Sequence, residues 1–193
     1  MRVAVSENSS EALAVEHRLI VAAQKGDRPA FAELVESYWD RLYRWLYRLA
    51  HDRHTAEDLA QETFLKAFAG LKKFQAGTNF GAWLFRIAHN NFANQCRAMA
   101  RQRENLPDNV ADQRRGPIEQ AASAEAVRDV TRAIYRLPTE FRAALLLRIE
   151  EGLSFRQIAD VLDLTEETAR WRVFKARQKL LSVLAPCQEQ EKS

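Results

Sequence analysis

Apolar residues along the chain recur at steps of three and four, and no stretch alternates apolar with polar as a half-buried strand requires. The clearest run is Phe31, Leu34, Val35, Tyr38, Trp39, Leu42, Trp45, Leu46 and Leu49. Its spacing predicts a helix of about five turns with one buried stripe, entered through Gly26, Asp27, Arg28 and Pro29. Ala56, Ala60, Phe64, Ala67, Phe68 and Leu71 make a second stripe, and Phe80, Trp83, Leu84, Ile87 and Ala88 begin a third. Six glycines and five prolines in 193 residues leave few interruptions. The expected fold class is all-α.

The patterning lapses between Arg101 and Gln120, a stretch that is polar, mixed in charge and nearly free of large apolar residues. Such composition reads as a flexible connection. Helical signals resume near Ser123 and run to about Leu184, and Pro186 to Ser193 reads as a loose polar tail. Two small helical domains are therefore expected, at 14–100 and 123–185, joined by a flexible linker at 101–122.

Within the second domain, Gly152 is placed to end a helix, and Ser154 with Gln157 forms the Ser-x-x-Gln capping box ahead of Phe155, Ile158, Ala159 and Leu162. A tight turn over Leu162 to Leu164 leads to Thr165, a good N-cap, with Glu166 and Glu167 in the dipole-favoured first turn of a further helix. A short capped helix, a tight turn and a longer helix make a helix-turn-helix. Ala169, Val173, Ala176 and Leu180 face the core by spacing, while Arg170, Trp171, Phe174, Lys175 and Gln178 fall on the other side.

Charge and chemistry sharpen this. The formal net charge is only +3, 29 basic against 26 acidic residues, which says little about partners. Its placement says more: Thr168 to Lys179 holds Arg170, Arg172, Lys175, Arg177 and Lys179 and no acid. Guanidinium and ammonium groups bond guanine edges and aromatics touch thymine methyls, so the outward face of this helix is suited to the major groove. The plainer reading is a solvated basic helix on an ordinary bundle.

No apolar run approaches the ~18–20 residues needed to cross a bilayer, and the start lacks a signal-peptide core, so no membrane insertion and a cytoplasmic residence are expected. Cys96 and Cys187 lie far apart without zinc spacing, so neither a disulfide, a metal nor a cofactor is expected. An enzyme built on His51, His54, His89 or Cys96 is the weakest reading, since no second ligand pair, Gly-rich phosphate loop or nucleophile motif accompanies them.

From about Ala14 to Leu184 the chain resembles bacterial sigma factors of the extracytoplasmic-function (ECF) group. The resemblance rests on Ala56 to Phe68 (AEDLAQETFLKAF) and Phe80 to Asn90 (FGAWLFRIAHN) in the first domain. In the second it rests on Leu137–Pro138, Glu151 to Ala159 (EGLSFRQIA) and Thr168 to Arg177 (TARWRVFKAR). It implies that the first domain is sigma domain 2, which docks on RNA polymerase core and reads and melts the minus-ten element. The second would be sigma domain 4, reading the minus-thirty-five element.

By the same resemblance Asp58, Gln61 and Glu62 grip polymerase, and the loop from Phe74 to Phe80 captures an unstacked base, with Asn79 in it. Asn90 and Asn94 would bond base edges or backbone, and Lys72 and Lys73 would hold phosphates. Arg170, Trp171, Arg172, Phe174, Lys175 and Arg177 would contact the upstream element. Two departures from the family pattern stand out: Ala169 in place of a larger aliphatic, and Trp171 where a small polar residue is usual. An anti-sigma protein is the further implied partner, promoter DNA being met both as duplex and as single strand. The competing function is a dimeric helix-turn-helix repressor or activator, which leaves the first domain without a role.

Overall fold

The computed structural model describes residues 3–104 and 125–184, and these are helical with short turns and no strand among them. The linker expected between the domains lies mostly outside the described residues, as do Cys187 and the C-terminal tail. The helices are α1 (Val3–Gln24), α2 (Arg28–Ala50), α3 (Arg53–Gly70), α4 (Phe80–Glu104), α5 (Glu125–Tyr135), α6 (Thr139–Ile149), α7 (Phe155–Leu162) and α8 (Glu166–Leu184), with a single 3-10 turn at Leu71–Lys73. Helix α4 thus continues to Glu104, past the expected start of the linker. Helix α1 was not foreseen as an element.

Local chemistry sets the breaks. Asp27 caps α2 by accepting from the Ala30 amide at 3.1 Å, with Pro29 in the first turn where a missing N–H costs nothing. His51 ends α2 in the left-handed conformation at φ 57, and Asp52 immediately caps α3 through the Thr55 amide at 2.8 Å. Two residues therefore suffice to turn the chain between antiparallel helices.

Helices α1 to α4 pack around Leu34, Leu42, Trp45, Leu46, Leu84 and Phe85, all nearly or fully buried, with Phe85 standing edge-on to Trp45 at 5.4 Å. The α2 stripe is buried or half-buried at every expected position. Phe68 departs from expectation: it is 46% exposed and touches Phe31 edge-on, because its place on α3 lies beyond the shoulder of the stripe. Helices α5 to α8 pack around Leu145, Leu146, Leu147 and Ile158.

The two bundles touch along two seams, α4 against α7 and α2 against α6. In the second seam Arg41 pairs with Glu151, Arg48 with Glu150, and Arg142 with His51, whose ring also lies 4.9 Å from that of Tyr135. None of these charged residues belongs to an apolar stripe, so nothing in the hydrophobic pattern announces them.

Candidate nucleic-acid interface

The helix-turn-helix is assembled as the capping signals require. Ser154 Oγ accepts from the Gln157 amide at 3.2 Å, Gln157 Oε1 accepts from the Ser154 amide at 2.8 Å, and Asp163 turns the chain at φ 55. Thr165 Oγ1 accepts from the Thr168 amide at 3.2 Å and starts α8. Ala169, Val173 and Ala176 are buried, which fixes the opposite face of α8 outward.

At 100° per residue the centre of that outward face holds Trp171, Phe174, Lys175 and Gln178, with Arg170 and Arg177 on one flank and Arg172 on the other. Trp171 and Phe174 are 51% and 54% exposed, unusual for rings of their size on a monomer's surface. Trp171 rests 5.5 Å from the Phe141 ring, and the Arg170 guanidinium lies 5.2 Å over Phe155 while bonding Glu166 at 3.0 Å. These contacts hold long side chains in place before any ligand arrives. Arg172, on its flank, is half-buried, and burial together with its positive charge lowers the pKa of His89 on α4.

In the first bundle Lys72 and Lys73 are exposed on the 3-10 turn. Phe74 is not a surface platform: it is 7% exposed, with its ring 5.6 Å from Phe80 and 4.9 Å from Trp83. Asn79 is exposed, and its Oδ1 accepts from the Ala82 amide at 2.7 Å, so it caps α4. Asn90 and Asn94 are both exposed, with Asn94 accepting from Arg97 at 2.9 Å.

Sequence reasoning missed their company. Arg86, Arg97 and Arg101 are also exposed and lie on the same side of α4 as the two asparagines, so Arg86, Asn90, Asn94, Arg97 and Arg101 form one polar stripe. The 3- and 4-residue spacing was the available signal. Three guanidiniums around two amides pair phosphate attraction with base-edge donors and acceptors.

On α3, Asp58, Gln61 and Glu62 are exposed on one face, as expected from their spacing. Leu65, 72% exposed one turn further on, shares that face and was also missed. A groove of about 300 Å³ between α3 and α4 is lined by Asp58, Glu62, Lys66, Asn91 and Asn94 among others. Its floor is a polar network: buried Asn91 donates to Thr63 Oγ1 at 3.1 Å and accepts from Lys66 Nζ at 2.6 Å, and Lys66 also pairs with Glu62.

The residues of the enzyme reading do not converge. His51 lies on the inter-bundle seam, His54 is exposed on α3, and partial desolvation pushes the exposed Cys96 thiol up, the reverse of what activates a nucleophile. Among the described residues no three His, Cys, Asp or Glu side chains gather as a metal would need. No described helix is long and apolar enough to cross a membrane.

Residues 34–102 match the family model of sigma-70 region 2, and residues 128–180 that of sigma-70 region 4. Over 182 residues the chain is 32% identical to RNA polymerase sigma-H factor of Pseudomonas aeruginosa, covering 89% of this chain and 94% of that protein. The chain belongs to the ECF group of RNA polymerase sigma factors.

The sigma factor is also 40% identical over 161 residues to ECF RNA polymerase sigma factor SigE of Mycolicibacterium smegmatis, an alignment that spans 81% of this chain and 62% of that protein. Among solved structures it is similar to the sigma factor RpoE of Bartonella quintana, crystallised with the anti-sigma factor NepR. That likeness has a TM-score of 0.71 at 28% identity, covering 80% of this chain and 96% of that one. Both family regions in sequence order give the first bundle the role that a repressor reading leaves empty.

Proposed function

We propose that the sigma factor reads two promoter elements with two separate surfaces while bound to polymerase core. The outward face of α8 enters the major groove of the upstream element, with Trp171, Phe174 and Lys175 at its centre and Arg170 and Arg177 on phosphates or guanine edges. The α4 stripe and the Phe74 to Phe80 loop take the minus-ten strand as it unstacks. Lys72 and Lys73 hold its phosphates, and Asn90 and Asn94 meet its base edges or backbone. Asp58, Gln61, Glu62 and Leu65 on α3 present acid, amide and one apolar contact to a basic polymerase surface.

The observation that carries this reading is the pairing of an exposed aromatic and basic face on α8 with an exposed arginine and asparagine stripe on α4, in different bundles of one chain. In this reading 14–100 acts as the polymerase and minus-ten module and 123–185 as the upstream module. The protein supplies binding energy and specificity and polymerase makes the phosphodiester bonds. It works in the cytoplasm, where its template is, and a partner of the anti-sigma class holds it inactive, as NepR accompanies the Bartonella relative.

Two substitutions separate the surfaces. Lys175→Ala is expected to lose roughly 1–3 kcal/mol of upstream-element discrimination, seen in footprints, with opening of bound complexes intact. Asn90→Ala is expected to weaken permanganate reactivity at the minus-ten element while preserving the upstream footprint, because its partner base is accessible only when unstacked. If each variant impaired both readouts equally, the two-surface assignment would fail.

A further inference from the structure

The segment proposed to capture a base is held at both ends. At its exit Asn79 caps α4, Phe80 is 1% exposed, and Gly81 lies so near Tyr38 that a β-carbon there would come within 3.2 Å of the ring. At its root Phe74, Phe80 and Trp83 form an aromatic triad with centroids 4.9 to 5.6 Å apart. Between these anchors Gln75, Gly77, Thr78 and Asn79 are exposed. Gly77 takes φ 96, and Thr78 closes the turn by donating its amide and hydroxyl to Gln75 O at 3.2 and 2.8 Å.

The entry is held from outside. Gln24, the last residue of α1, is half-buried, and its Nε2 donates to two backbone carbonyls nearly fifty residues away: Leu71 O at 2.9 Å and Phe74 O at 2.6 Å. Leu71 O also accepts from the Phe74 amide at 3.0 Å, which closes the 3-10 turn, and Phe74 O lies just beyond that turn, where no helical ladder continues. Both N–H groups of one primary amide can serve two acceptors at once, which fixes the Leu71 to Phe74 turn relative to α1.

We propose that Gln24 is a positioning residue for promoter opening: its amide sets the entry of the base-capturing loop, so that the exposed tip meets the unstacked strand already ordered. The inference rests on the proposed role of the Phe74 to Phe80 segment. Gln24 touches no DNA; it acts through Leu71 and Phe74. A loop with a free entry must be ordered when the base arrives, and that ordering subtracts from binding.

The test uses the full chain assembled with core polymerase on a promoter that the wild-type protein opens. Gln24→Leu keeps the size and removes both donors, Gln24→Glu offers acceptors to acceptors, and Gln24→Lys restores a donor group of similar reach. The Leu variant should lower permanganate reactivity at the minus-ten element roughly ten-fold, the effect of losing two hydrogen bonds of ordinary net strength. Gln24→Glu should lose at least as much and Gln24→Lys should recover most of the signal, while core association and the upstream footprint match wild type in all three.

Wild-type opening by the Leu variant would overturn the inference. So would a Lys variant no better than Leu, or an upstream footprint that falls in step with opening, since either marks a merely structural residue. If the wild-type protein itself opens nothing, the proposed function fails and takes the inference with it, whereas an effect of Asn90→Ala without one of Gln24→Leu sinks the inference alone.

Discussion

Arg41 leans from α2 to the end of α6, where its Nε and Nη2 donate to Glu151 Oε2 at 3.0 and 2.5 Å. The partners are unequal in exposure: the Arg41 side chain is 40% exposed and that of Glu151 only 4%. Arg41→Ala removes the wet half and leaves a carboxylate shut away without its counter-charge. Breaking a fully buried pair costs ~3–5 kcal/mol and a fully exposed pair ~0–1, so this mixed case falls at about 2 kcal/mol. Because the pair crosses from one bundle to the other, separation of the bundles rehydrates Glu151 without unfolding either. The ratio of closed to open molecules should then fall by roughly 30-fold.

The proposed function gives that ratio a meaning. A compact chain of this length has a radius of gyration of about 16 Å, hence a diameter of roughly 40 Å. Elements named minus ten and minus thirty-five lie about 25 base pairs apart, roughly 85 Å of duplex. The closed arrangement cannot hold both, so the α2–α6 and α4–α7 seams must part on the promoter. Fluorophores at Ala69 and Gln178, both exposed, in a chain with Cys96 and Cys187 replaced by serine, report the separation by energy transfer. Arg41→Ala should shift the free protein toward long distances and speed core association with little loss of helical signal. An unchanged distance distribution, with the full loss appearing as lower thermal stability, would refute this reasoning.

Three further outcomes follow from particular residues. Burial and Arg142 lower the pKa of His51, and burial and Arg172 lower that of His89; the unfolded chain, with histidines near 6.5, then binds more protons, so stability should drop as pH falls from 7.5 to 5.5. Thermal melts across that range measure it, His51→Gln should flatten the slope, and a flat wild-type profile would contradict the assignment. Ser154→Ala breaks the capping box of α7 and should cost about 1 kcal/mol in urea unfolding, with no cost arguing that the cap is idle. Asn91→Ala strips a partner from Thr63 and Lys66 beneath the α3–α4 groove and should cost roughly 1–3 kcal/mol, which a denaturation midpoint equal to wild type would exclude.

Helix α2 and the helix-turn-helix were legible in sequence because each couples a strong apolar stripe to local caps: Asp27 and Pro29 for the first, Ser154, Gln157 and Thr165 for the second. The α8 surface was legible for the same reason, since small core-facing residues leave its outward side defined. Which flank of α8 is partly covered was not legible, because a basic run records charge alone: Arg172 is half-buried where Arg170 and Arg177 are exposed. Helix α1 escaped notice because its stripe is thin: Leu13 and Val15 are exposed, and only toward its end do Ile20 and Ala23 become buried.

Phe74 fits a stacking platform by type, and only the triad with Phe80 and Trp83 reveals it as the root of its loop. The seam between the bundles was unreadable because Arg41, Arg48, Glu150 and Glu151 are the residues that periodicity assigns to solvent. Gln24 belongs with them, a polar side chain whose partners lie nearly fifty residues away. Long-range polar contacts leave no period in a sequence.

The central claim is that this chain confers promoter choice on RNA polymerase. Run-off transcription with core polymerase on a library of genomic fragments, with the protein added or omitted and start sites mapped, measures it directly. Discrete new starts that need both core and this protein are expected, each preceded by one shared pair of elements near minus thirty-five and minus ten. Starts that do not change on its addition, together with dimeric binding to a palindromic duplex in the absence of polymerase, would contradict it.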